Sequence, residues 1–190
     1  MIINSLDMNR IGKILLAATV ALGPVTGSAQ GIVRFANYGP GVSAPVTNSV
    51  TGQLVDGSGF LVQLYGGAAG ALEPALVPLN TLATFESGDL AGYFDGFLAT
   101  NTFVIPGSSG TFQVRAWSAG FSSYEAAYSA SLVDPNVLVG TSSVFDNATG
   151  ISSAAYLTGL SAFSIAPVPE ASAVAYFAVG AAALFWRVRA

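Results

Sequence analysis

The chain has 190 residues, of which 52% are hydrophobic and only 8% are charged, and its net charge is −4. Because globular proteins usually carry about a quarter of charged residues, this composition is typical of an exported β-protein rather than a cytosolic enzyme. The sequence contains neither cysteine nor histidine, which excludes disulfides, thiolate metal sites and catalysis by a Ser-His or Cys-His pair. We therefore expect one domain between two special termini, with no cofactor.

Residues 1–29 have the three parts of a secretory signal peptide. Two basic residues precede a short apolar run that cannot span a bilayer. Gly27 and Ala29 supply the small residues in front of a cleavage site. We predict export and cleavage after Ala29, with Met1 and Met8 both open as the true start. The alternative is an amphipathic or buried helix of the mature fold.

Residues 30–166 are predicted to form the folded domain, because short β-rich runs alternate there with turn residues. Apolar side chains occupy every second position in 60–65 and 112–117, as in half-buried antiparallel strands. We expect an all-β fold, an antiparallel two-sheet β-sandwich of jelly-roll or immunoglobulin-like type with roughly seven or eight strands. The stretches 66–80 and 146–159 have no firm period and are predicted to be long loops or ragged edge strands.

One short helix is predicted over residues 124–131. Ser122 and Glu125 have the spacing of a capping box, in which a serine hydroxyl and a glutamate satisfy free backbone N–H groups. Tyr124 and Tyr128 are four residues apart and would share one helix face. We expect that face to pack against the sheet.

The middle of the chain is strongly acidic. Its only cations are Arg34 and Arg115, against eight acidic residues, so residues 30–166 carry a net charge of −6. A surface of that sign repels phosphate. Nucleic acid and anionic lipid headgroups are therefore not expected as partners.

Three of these acids, Glu86, Asp89 and Asp95, fall within ten positions of one another. Carboxylates in such a group can ligate calcium or supply the acid and base of a glycosidase. Their spacing matches no EF-hand loop, however, and acids beside glycines are typical of an exposed turn. We expect a solvated loop, with a metal site and a carboxylate-dependent polysaccharide-degrading enzyme as weaker alternatives.

The two best strands also place polar and aromatic side chains on one face. If both lie in one sheet, alternation sends Gln63, Tyr65, Gln113, Arg115 and Trp117 in the same direction. Flat rings beside amide and guanidinium donors suit a sugar, and these residues form a candidate carbohydrate-binding surface. The alternative is that loops cover this face and the rings serve only in packing.

Residues 167–190 form a separate tail. Positions 171–186 are uncharged and mostly apolar, and a helix of this length measures roughly 24 Å, close to the thickness of a hydrocarbon core. Arg187 and Arg189 follow it and would stay in the cytoplasm under the positive-inside rule. We predict a C-terminal transmembrane helix that leaves the domain outside, in agreement with the N-terminal signal.

The order of Val168, Pro169 and Glu170, an apolar helix and terminal arginines resembles the PEP-CTERM sorting signal of Gram-negative bacteria. The resemblance covers about the last two dozen residues, and Ala171 stands at the motif's second proline. It implies recognition by an exosortase, a membrane cysteine protease or transpeptidase. It also implies an exported protein linked to exopolysaccharide or biofilm matrix.

The sequence as a whole thus predicts a non-enzymatic cell-surface or extracellular-matrix protein that begins as an inner-membrane-anchored precursor. Its expected partners are an exosortase, the inner membrane and a polysaccharide. A carbohydrate-binding module and a polysaccharide-degrading enzyme are the alternative functions. A tail anchor that is never cleaved is the alternative for its location.

Overall fold

The computed structural model describes residues 30–169, apart from the side chains of Asn80 and Thr81. Within that range the chain forms twelve strands, one α-helix and three 3₁₀ turns, which confirms an all-β fold with one short helix. None of the helices formed by residues 30–169 is long and apolar enough to cross a membrane. The predicted signal peptide and terminal helix, with Gly27, Ala29, Glu170 and the two terminal arginines, lie outside the described residues.

The strands follow one another with few long connections. They are β1 (Gly31–Ala36), β2 (Tyr38–Gly39), β3 (Val42–Ser43), β4 (Val46–Asn48), β5 (Phe60–Gly67), β6 (Val77–Thr84), β7 (Asp95–Asn101), β8 (Ser109–Ser118), β9 (Val139–Thr141), β10 (Phe145–Ala148), β11 (Ala155–Tyr156) and β12 (Phe163–Ile165). The helix α1 (Tyr124–Ser131) lies between β8 and β9.

The larger sheet has five antiparallel strands with β8 near its centre. Strand β5 pairs with one edge of β8, while β10 and then β9 pair with successive parts of the other edge, and β6 completes the sheet beside β5. Val62 lies opposite Ala116, and Leu64 lies opposite Val114. All four side chains are fully buried, as the alternation predicts for the inner face.

A smaller sheet has the order β11–β1–β7, and two further pairs, β12–β4 and β2–β3, lie beside the sheets. The pairs β1–β11 and β4–β12 are parallel, contrary to the wholly antiparallel arrangement that was expected. Parallel neighbours need a long connection, and here nearly the whole domain separates each pair in sequence. The end of the domain therefore returns to strands from its beginning.

Both sheets contribute to one hydrophobic core. Val33 and Phe35 of β1 belong to the same buried cluster as Val62 and Leu64 of β5. Phe35 packs on Phe94 with a ring-centre distance of 4.8 Å. Since each such side chain contributes roughly 1.5–3 kcal/mol on burial, this shared cluster is the main source of stability.

Strand β6 lies at the end of a stretch predicted to be loop or ragged edge strand, and β10 and β11 lie in the other such stretch. The residues of β6 have a low intrinsic preference for strand, and one of them is Pro78. Its pairing with β5 shifts register between Gln63 and Tyr65. Proline and irregular register are typical of an edge strand, which depends on its neighbour more than on its own propensity.

Asn37 fixes the chain at the entrance to β7. Its Nδ2 group donates to the carbonyl oxygens of Ala44 and Gly92, each at 2.8 Å, and its Oδ1 accepts the Phe94 N–H at 2.7 Å. The residue is fully buried. Because buried amides without partners are costly, this set of bonds determines where β7 begins.

Candidate functional site

Helix α1 covers the outer face of the five-stranded sheet. It begins at a serine cap, but the capping residue is Ser123, whose Oγ accepts the Ala126 N–H at 3.2 Å. The predicted capping box on Ser122 and Glu125 is therefore wrong by one residue. Glu125 points to the sheet instead of returning to the cap.

Trp117 lies beneath this helix. Its side chain is fully buried, packs in a cluster with Ala127, and stands edge-on to the ring of Tyr124 at 6.4 Å. The indole N–H donates to the Phe121 carbonyl at 3.1 Å. The ring is thus fully used in packing and hydrogen bonding.

The residues of the predicted carbohydrate surface lie on one face of the sheet, but α1 and the segment before β6 cover that face. The register places Gln63 opposite Arg115 and Tyr65 opposite Gln113, so the predicted sidedness is correct. However, the exposed fraction is only 3% for Tyr65, 2% for Gln113 and zero for Trp117. The rings of Tyr65 and Trp117 therefore offer no open surface on which a sugar could stack. This face is a covered packing face, which is the alternative given above.

The Arg115 guanidinium is the centre of this covered face. It lies 4.0 Å from the ring centre of Tyr65 and 5.2 Å from that of Tyr124. Its Nη1 donates to Glu125 Oε1 at 3.1 Å, and its Nε donates to Gln113 Oε1 at 2.9 Å. The arginine therefore joins the sheet to the helix.

The same network extends to the chain before β6. Gln113 Nε2 donates to Glu73 Oε1 at 3.0 Å and to the Ser142 carbonyl at 3.2 Å. The Tyr65 hydroxyl donates to Glu125 at 3.1 Å. Burial, together with the nearby Glu125 carboxylate, raises the pKa of Tyr65 to about 12, so this phenol remains a donor.

The three acids proposed as a weak metal site are not brought together as ligands. Asp89 lies in a 3₁₀ turn, Glu86 precedes that turn, and Asp95 begins β7. Among residues 30–169, no three acidic side chains form a group that could hold a metal ion. Asp95 Oδ2 instead accepts a hydrogen bond from Arg34 Nη2 within an ion pair.

A bulge in β7 makes Phe97 unusual. Arg34 of β1 lies opposite Leu98, whereas Ala36 lies opposite Asp95, so β7 holds one extra residue between these pairs. Phe97 has a φ of 65°, and it is the only non-glycine residue with positive φ in the described part of the chain. An L-residue adopts this left-handed conformation at a cost of about 1–2 kcal/mol.

Phe97 is 72% exposed, and Asp95 and Arg34 lie beside it. Asp95 Oδ1 accepts its backbone N–H at 2.9 Å, and the Arg34 guanidinium carbon lies 5.9 Å from its ring centre. The hydrogen bond from Arg34 to Asp95 raises the pKa of Arg34. An aromatic ring, a cation and a carboxylate thus meet at the surface.

Phe97 borders a groove between β6 and β7, here called the β6–β7 seam. Strand β6 ends the order of the five-stranded sheet, and β7 ends that of the smaller sheet. The seam contains two clefts of about 400 and about 330 Å³. The first is lined by Gln30, Val77, Pro78, Leu79, Leu98, Thr100, Thr102 and Phe103, and the second by Leu61, Leu82, Ala83, Thr84, Glu86, Asp95, Gly96 and Phe97.

Sequence reasoning missed the seam. In the sequence Asp95 is notable only as an acid, and the Asp-Gly pair at 95–96 indicates a turn, for which glycine is the expected residue of positive φ. The structure places the positive φ on Phe97 instead. At Gly96 a Cβ would lie 2.3 Å from the Phe35 ring, so glycine is required there for close packing.

The chain leaves the domain beside the end of α1. Ala166 exchanges two backbone hydrogen bonds with Val139, each 2.9 Å long. The Val168 N–H donates to Ser131 Oγ at 2.9 Å, and the Val168 side chain packs on the Trp117 cluster. Val168 is half-buried, whereas Pro169 is exposed.

Comparison of the chain with protein-family models, with curated proteins and with solved structures finds no match. Its function must therefore be inferred from the residues and contacts described above.

Proposed function

We propose that this chain is an exported, non-enzymatic surface or matrix protein whose tail is processed by an exosortase and which associates with exopolysaccharide. The observation that carries the proposal is the order of Val168, Pro169 and Glu170, an apolar run, and Arg187 and Arg189 at the end. The signal-peptide pattern at the other end gives the same topology, with the domain outside the inner membrane.

The path of the chain out of the domain supports this proposal. Contacts with Ser131 and the Trp117 cluster hold Val168, and Pro169 follows in the open. Proline disfavours helix both at its own position and at the preceding residue, so this segment is extended. An extended segment in front of the apolar run suits a protease that binds its substrate as a strand.

We interpret the domain as a two-sheet β-sandwich, with jelly-roll and immunoglobulin-like types both open. The support is that side chains from the five-stranded sheet and from β1 share one core. Its net charge of −6 favours solubility once the domain is released from the membrane. The proposed route is a membrane-anchored precursor that becomes a surface or extracellular protein.

The experiment is a double substitution, Pro169→Ala with Glu170→Ala, in the natural host. It removes the extended, acidic recognition segment, so we expect an uncleaved precursor that accumulates in the membrane fraction. The matched control is Asp89→Ala with Pro135→Ala, which changes one exposed acid and one exposed proline of the domain. Release of the first variant at the wild-type rate would contradict exosortase sorting.

A carbohydrate-binding role has a separate observation in its favour, the β6–β7 seam with its exposed aromatic ring. It is compatible with the proposed itinerary, because a matrix protein that binds glycan would follow the same route.

A further inference from the structure

We propose that the β6–β7 seam binds an uncharged polysaccharide chain, with Phe97 as a stacking platform for one sugar ring. This inference rests on the proposed association with exopolysaccharide, and it adds a binding site and a class of ligand. It differs from the carbohydrate surface predicted on Tyr65 and Trp117, which lies under α1.

The conformation of Phe97 is the first argument. A bulky residue with positive φ is an outlier that usually needs compensation elsewhere or a functional reason. The Phe97 side chain gains little from core packing, because most of the residue faces solvent. The hydrogen bond from the Phe97 N–H to Asp95 Oδ1 holds the backbone of the bulge, and the Arg34 guanidinium carbon lies 5.9 Å from the ring centre. The bulge thus presents an aromatic ring to solvent, where its face can receive the C–H face of a sugar.

The shape of the seam is the second argument. The cleft beside Phe97 is lined by residues 82–84 of β6, and the other cleft by residues 77–79 of the same strand. The two clefts therefore lie at successive positions of β6, an order that suits an elongated ligand. Phe103, also exposed, borders the far cleft and provides a second ring for stacking.

The polar groups of the seam match the hydroxyls of a sugar. Thr84, Glu86 and Asp95 are among the residues of the near cleft, and Thr100 and Thr102 are among those of the far one. Carboxylates accept hydrogen bonds from hydroxyl donors, and threonine can both donate and accept. Rings with a few convergent polar groups are the usual composition of a small-ligand site.

Charge decides between neutral and anionic chains. Arg34 is the cation beside the near cleft, and its ion pair with Asp95 neutralises it. Glu86 adds negative charge at the same cleft, and residues 30–166 carry a net charge of −6. A uronate-rich or sulfated chain would be repelled, so the seam favours uncharged glycans.

The test measures binding of the exported protein to cellulose-, laminarin-, starch- and mannan-derived oligosaccharides by calorimetry, with an oligogalacturonate as the anionic probe. We expect at least one neutral oligosaccharide to bind and the oligogalacturonate not to bind. Phe97→Gly should weaken neutral binding by about tenfold, the value of one aromatic contact, and Phe97→Tyr should retain it. The matched control is Tyr128→Ala, which removes an exposed ring from α1 and should bind as the wild type does.

Loss of binding through unfolding is distinguishable. Glycine accepts the positive φ at position 97, so Phe97→Gly should keep the wild-type melting temperature. The inference is overturned if no neutral oligosaccharide binds or if Phe97→Gly binds as well as the wild type. It is also overturned if the seam binds an extended apolar peptide and no glycan, which would identify a protein partner.

Glycan binding at the seam and exosortase sorting can be distinguished by measuring both binding and tail processing for the same variants. A Phe97→Gly chain that is processed normally but no longer binds glycan supports both. If the protein binds glycan but keeps its tail intact, exosortase processing is refuted and glycan binding at the seam is not. If the wild-type protein is processed but binds no glycan, only glycan binding at the seam is refuted.

Discussion

The side chain of Arg115 is almost enclosed by two tyrosine rings and a buried glutamine, and the relative size of these contacts can be estimated. Its carboxylate partners, Glu73 and Glu125, are 54% and 60% exposed, and exposed ion pairs contribute about 0–1 kcal/mol each. The contact with the Tyr65 ring, at 4.0 Å, is shielded from water and can contribute about 2 kcal/mol. Packing against the rings therefore outweighs the ion pairs.

This ranking leads to a prediction for two substitutions. Arg115→Met removes the ring contacts and leaves Gln113 with one fewer partner, so we expect a loss of about 2–3 kcal/mol in the free energy of unfolding. Glu125→Gln keeps the side-chain shape and should cost less than about 1 kcal/mol. Denaturant unfolding of both proteins measures the difference, and equal losses would contradict the dominance of packing.

Periodicity predicts the sidedness of a residue but not what covers it. The alternation in β5 and β8 correctly places Val62 and Val114 inside, and it places Tyr65 and Arg115 together on the other face. Whether that face meets solvent depends on α1, which follows β8 in the chain and folds back over it. Phe97 could not be predicted either, because a bulge is a property of the register between two strands.

At the scale of elements, local chemistry predicts α1 and long-range pairing decides the short strands. The helix has the predicted bounds because a serine cap and good helix formers act within a few residues. Strands β11 and β12 are very short and join β1 and β4, which lie far away in sequence. Their own residues contain too little information to specify those partners.

The contact between α1 and the outgoing chain leads to a prediction about processing. Ser131 Oγ accepts the Val168 N–H at 2.9 Å and donates to the Val137 carbonyl at 2.6 Å. If an exosortase binds this segment as an extended peptide, Val168 must leave the domain first. We expect Ser131→Ala to accelerate tail processing severalfold, as measured by pulse-chase labelling of the precursor, because loss of this bond loosens Val168.

The matched control for Ser131→Ala is Ser129→Ala on the same helix. Its hydroxyl is exposed and donates only to the Glu125 carbonyl, at 2.9 Å. This variant should be processed at the wild-type rate. If both variants are processed as the wild type is, the docking of Val168 has no influence on the tail.

On the scale of the whole molecule, the chain combines an acidic β domain, an aromatic seam on one side and a tail that leaves beside α1. Phe97 of the seam lies on β7, whereas Val168 is held by Ser131 of α1 and by the Trp117 cluster. Binding of a glycan and processing of the tail can therefore be tested independently.

Mass spectrometry of the mature protein from the natural host distinguishes sorting by an exosortase from a permanent membrane anchor. We expect a C-terminus close to Pro169 and Glu170, with the apolar run and both terminal arginines removed, whether as a free end or joined to another group. A mature protein that retains every residue to Ala190 would contradict exosortase processing and identify the tail as a permanent anchor.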